Sequence, residues 1–140
     1  MNVIREIRNF VRAKIRELNP RINESQNPHN DNTVGQIKLD ESYFLRFLSA
    51  PIAQRQSFHQ YSFPIEIEII AKAGVNPNEA HDKIMCDAIG LAARLVIGYS
   101  SIVDQVRLDS ITPEPVQGNE RFTRVIINAT FITNIKDGIS

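Results

Sequence analysis

The sequence predicts an α+β fold, in the order helix, hairpin, helix, hairpin, with two helices packed on a mainly antiparallel sheet. Three patterns predict it. Apolar residues recur every three to four positions near the N-terminus and again after Asn76. They alternate in 58–73 and 121–135, and the segments between are crowded with asparagine, proline and glycine. With 140 residues, 15.9 kDa, 42% hydrophobic and 23% charged residues, the chain reads as a single domain, 1–140, able to bury a core without staples.

The first helix is predicted over 2–18, with Val3, Ile4, Ile7, Val11, Ile15 and Leu18 on one face and Asn19-Pro20 as its stop. Its other side carries Arg5, Arg8, Arg12 and Arg16, opposed only by Glu6 and Glu17. That stripe reads either as a solvated face with arginine stems lying over apolar neighbours, or as a surface for an acidic partner. The asparagine- and proline-rich stretch 19–35 is a long loop by composition.

Strands are predicted at 43–48 and 58–73, with 51–56 as a break. In the longer one Phe63, Ile65, Ile67 and Ile69 face one way, and Glu66, Glu68 and Lys72 the other. Pro64 cannot donate to a ladder, so an edge or a bulge is expected there. The second helix is announced by Asn76 as a cap, Pro77 in the first turn and acidic residues after it, with Gly98 as its end. Its main face is Ala80, Ile84, Ala88, Leu91 and Leu95. Met85, Ile89, Ala92, Val96 and Ile97 widen the apolar arc, so the helix is expected to be covered on two sides, by the sheet and by either the first helix or another subunit.

A last hairpin is predicted from 103–111, a turn at 112–120 and the strand 121–135. Odd positions in this strand (Val125, Ile127, Ala129, Phe131, Ile135) suit a core. Even positions are mixed: Phe122, Arg124, Ile126, Asn128, Thr130, Ile132 and Asn134 are too apolar for open water and too polar for a second core.

Chemistry is hard to find in these patterns. Cys86 alone rules out an internal disulfide and a cysteine-based zinc site, and reads as a small buried residue. His29, His59 and His81 fall in different elements without metal-ligand spacing, and no phosphate-cradling glycine loop or nucleophile elbow is present. Glu66 and Glu68 share a strand face, where cross-strand links to Arg107 or Arg124 are favoured over acid–base catalysis. No catalytic, cofactor or metal site is therefore expected. Sixteen basic residues balance sixteen acidic ones, so no global field draws the chain to nucleic acid or anionic lipid. Neither a secretory leader nor a run long enough to span a membrane is read from the sequence.

The order of elements, with the helix "NEAHDKIMCDAIGLAARL" and the closing "ITPEPVQGNERFTRVIINATFI", resembles the tail terminator, or tail completion, proteins of long-tailed bacteriophages. The likeness implies a structural subunit rather than an enzyme, acting in the tail-neck region of the virion after assembly in the host cytoplasm. It implies a homohexameric ring that caps the tail tube, stops its growth and meets the head connector, with DNA only as transiting cargo. On that likeness Phe122, Ile126 and Ile132, with the wide arc of the second helix, would lie at a subunit or tube interface. The arginines of the first helix would face an acidic neighbour, and Glu66 and Glu68 would face the lumen. Competing readings are another neck or connector protein, a nucleic-acid-binding module using the first helix, and a small oligomeric α+β enzyme. The nucleic-acid reading lacks aromatic stacking platforms in the basic segment.

Overall fold

The computed structural model describes residues 3–25, 41–49, 52–55, 60–72, 76–98, 103–114 and 122–134. It is an α+β fold, with helices α1 (Val3–Leu18) and α2 (Pro77–Ile97). Its strands are β1 (Asn23–Glu24), β2 (Glu41–Phe47), β3 (Ile52–Arg55), β4 (Gln60–Lys72), β5 (Val103–Glu114) and β6 (Phe122–Asn134). The sheet runs β1-β2-β4-β6-β5, and β3 pairs with β4 beyond the end of β2. All pairings are antiparallel except β1 with β2. Of the loop expected at 19–35, residues 26–35 lie outside the described residues, as do His29, His59, Ile135 and most of the 112–120 turn.

The two-residue alternation of β4 and β6 turns one continuous face toward the helices. Phe63, Ile65, Ile67 and Ile69 join Val125, Ile127, Ala129 and Phe131 there, all essentially without exposure. The register sets Ile65 against Ala129, Ile67 against Ile127 and Phe63 against Phe131. Ala129 is thus the one small residue in this row, set between the Phe63–Phe131 and Ile67–Ile127 pairs.

Helix α1 lays Val3, Ile7, Phe10, Val11 and Ile15 on this core, and α2 adds Ile84, Ala88, Leu91 and Leu95. Phe10, absent from the predicted face, meets Phe131 edge to face at 6.1 Å between ring centres. Ile4, assigned to that face, is partly exposed instead. Asn76 caps α2 as expected, its Oδ1 accepting from the Glu79 amide at 3.1 Å. The helices meet where Leu18 approaches Gly90, and a Cβ built on that glycine would stand 3.1 Å from the Leu18 methyls. A methyl at position 90 would make the Leu18 side chain give way by a few tenths of an ångström.

Three expectations are corrected. Residues 52–55, read as part of a break, form β3, and 23–24, inside the predicted loop, form β1. Pro64 lies in a central strand whose register with β6 runs through it without a bulge. Its carbonyl accepts from the Leu48 amide at 2.9 Å, so its missing N–H points to the same side. There the neighbour changes from β2, last paired at Ile65, to β3, first paired at Ser62. A proline is tolerated in mid-sheet because its orphan side falls in that gap.

Candidate functional site

Three surfaces carry the residues singled out from the sequence. The first is the arginine side of α1. Glu24 of β1 receives Arg8 Nη1 at its Oε1 and Arg12 Nη2 at its Oε2, both at 2.9 Å. Arg8 also donates to the Leu45 carbonyl and lies over the Phe47 ring, while Arg16 donates to the Ile22 carbonyl. The stripe therefore finds an acidic neighbour within its own chain, and uses it to fold the 19–25 segment back against α1 and β2. What faces outward is an open depression lined by Ile4, Arg5, Arg8, Asn9 and Arg12. Two arginines share one carboxylate there, so the surface stays basic.

The second surface is the sheet face turned away from the helices. Phe122, Ile126, Asn128 and Ile132 are partly buried, and Thr130 is buried. Glu66 pairs with Arg46, Nη2 to Oε1 at 2.6 Å, a partner on β2 that strand spacing alone did not single out. Glu68 meets Arg124 at 3.3 Å, one of the two expected cross-strand partners, and only 4% of it is exposed. The other, Arg107, pairs with Asp109 at 3.0 Å instead. Arg124 also reaches Glu114 at 3.5 Å and stacks over Phe122 at 4.9 Å from its ring centre. Arg124 thus ties the mixed row of β6 to both neighbouring strands, to β4 through Glu68 and to β5 through Glu114.

The third surface is the outward side of α2. The sheet covers Ile84, Ala88, Leu91 and Leu95, and α1 covers the flank at Gly90 and Arg94. Ile89 is 52% exposed, Val96 48% and Ile97 78%. At about 100° per residue, Ile89 and Val96 fall on a third side, away from both the core and α1. Cys86 is also exposed, a correction to its expected burial. The widened arc is consequently only half covered within this chain.

One further cluster went unread in the sequence. Glu41, 7% exposed at the start of β2, accepts at Oε2 from Asn19 Nδ2 at 2.9 Å and Lys83 Nζ at 2.5 Å; the same ammonium meets Asp87 Oδ2 at 3.1 Å. It ties together the end of α1, β2 and α2. Burial first, and then the Asp87 carboxylate, push the Glu41 carboxyl up to about 7, against the pull of Lys83. Because the folded pKa exceeds the unfolded one, the native state keeps this proton over a range where the unfolded chain has lost it. Stability is therefore expected to fall, by on the order of 1–3 kcal/mol, as pH rises from about 4.5 to about 7. Glu41→Gln should flatten this slope, which urea titrations at about pH 5 and about pH 7.5 measure directly.

Among the described residues no group of three or more His, Cys, Asp or Glu side chains is placed to hold a metal ion. His81 Nδ1 lies 2.7 Å from Thr123 Oγ1, joining α2 to β6. Among the described residues no helix is long and apolar enough to cross a membrane. No protein-family model and no curated protein matches this sequence. Among solved structures, the core region of PilO from the type IV pilus system of Pseudomonas aeruginosa is similar at 16% identity, over 83% of this chain and 100% of that one. The TM-score is 0.41, a likeness too distant to bear on what this chain does.

Proposed function

We propose that this chain is a tail terminator subunit of a long-tailed bacteriophage, forming a ring that caps the tail tube and meets the head connector. The observation that carries the reading is the apolar pair on α2, where Ile89 and Val96, seven residues apart, stand about half exposed on the side that neither the sheet nor α1 covers. Isolated exposed aliphatic residues are ordinary, but two set a heptad apart on one uncovered side of a long helix are suited to contact with another chain. The resemblance in element order and in the sequences of α2 and the last hairpin supports a ring subunit in particular. On this reading the work is mechanical: repeated modest contacts around a ring add up through multivalency.

The test adds the purified chain to tail tube protein as it polymerises and follows tube length by electron microscopy. Tubes that stop short with ring density at one end are the expected result. Tubes that elongate as they do without the chain would overturn the reading.

A further inference from the structure

We propose that neighbouring subunits join edge to edge, the β5 margin of one copy seating against the α1 margin of the next. This rests on the ring reading and specifies its interface. The sheet order places β5 at one end and β1 with β2 at the other, so the chain has two different margins. In the helix layer α2 lies over β4, β6 and β5, with α1 on its opposite flank.

The two margins are chemically complementary. Along β5 the side chain of Asp104 is exposed, and Asp82 adds an exposed carboxylate from the outward side of α2; Asp109 and Glu114, also exposed, are paired to Arg107 and Arg124 on the sheet face turned away from the helices. Asp82, Ile89 and Val96 recur at seven-residue spacing, and so share that side of α2. At the other margin, the depression on α1 sets the part-exposed Ile4 among Arg5, Arg8 and Arg12. Each margin thus offers an aliphatic patch beside a net charge, and the net signs are opposite. Arginine stems in the depression supply further apolar contact for Ile89 and Val96.

A surface that pairs with a different surface of an identical copy is heterologous. Such contacts make a ring when the rotation between copies closes, and a filament when it does not. Pairing β5 with β5 about a two-fold axis would instead set acidic margins against each other. The edge itself also argues for a side-chain contact rather than an extended shared sheet: β5 carries two register irregularities and Pro113, devices that blunt strand addition.

Two charge-reversed variants test the interface. Asp82→Arg with Asp104→Arg makes both margins basic, and Arg5→Glu with Asn9→Glu makes both acidic; all four positions are exposed. Sedimentation over a concentration series should show wild-type rings that weaken from about 0.1 M to about 1 M salt, as the screening length drops from about 10 to about 3 Å. Each variant alone should self-associate at least about 10-fold more weakly, and an equimolar mixture should recover assembly by alternating the two. Thermal melting of each variant close to wild type confirms that folding is retained.

Wild-type assembly matched by either variant, or a mixture no better than its components, would overturn the inference. So would a wild-type chain that stays monomeric throughout. Rings indifferent to these charges would remove the interface and leave the terminator reading standing. Rings that respond as expected yet fail to cap tubes would do the reverse.

Discussion

Phe131→Ala should lower the stability of the fold by about 3–5 kcal/mol, the range for truncating a fully buried aromatic. The ring is wholly buried. It stands opposite Phe63 on β4 and Val106 on β5, and Phe10 of α1 meets it edge to face. Truncation therefore leaves a cavity at the point where three strands and a helix converge, and the surrounding backbone is held by continuous pairing with β4 and by the in-register stretch of β5 from Gln105 to Leu108. Phe131→Leu keeps most of the volume and should cost less than about 1.5 kcal/mol. Urea unfolding, with its slope unchanged between variants, separates the two. A loss below about 1 kcal/mol for the alanine variant would mean that α1 does not rest on β6 as described.

The difference between what the sequence disclosed and what it withheld follows from the range of the interactions. Both helices, the long strands and the core face of β6 announce themselves through local periodicity, because Val125, Ile127, Ala129 and Phe131 must all point one way for any sheet to bury them. The cap at Asn76 is likewise a local device. By contrast β1 is two polar residues, Asn23 and Glu24, without an apolar rhythm; it exists because it pairs with Ser42 and Tyr43, far along the chain. β3 depends in the same way on β4.

The candidate surfaces divide along the same line. That the arginines of α1 form a stripe was readable from spacing, whereas their engagement by Glu24 required β1 to exist. Cys86 was misplaced because a wide apolar arc does not state which part of it is covered. Only the position of α1, against Gly90 and Arg94, settles that the cysteine and Ile89 remain outside. Glu41 sits outside every recognised pattern, and its cluster forms only when Asn19, Lys83 and Asp87 arrive from two helices.

Glu68→Lys should destabilise the fold by about 3–5 kcal/mol, whereas Glu66→Lys should cost about 1 kcal/mol or less. The sequence sets the two glutamates on one strand face with the same expected cross-strand links. The structure separates them. Glu68 is buried against Arg124, itself largely covered, so a lysine there would set two cations together away from water. Glu66 is partly exposed, and its partner Arg46 is the more exposed of the two, so the pair is worth little and its loss is solvated. Thermal melts of the two single variants decide the matter, and equal losses would overturn the distinction. The consequence reaches the lumen-facing role that the resemblance implies for this pair. A reversed Glu68 confounds any effect on DNA passage with loss of the subunit, while Glu66→Lys keeps the subunit and adds a cation to the same sheet face. If that face lines the channel, particles built with Glu66→Lys should assemble normally and eject DNA more slowly, most clearly at low salt where phosphate contacts are strongest. Unchanged ejection would place the face elsewhere, and the mixed row of Ile126 and Ile132 beside it would then be free to serve as the surface that meets the tube.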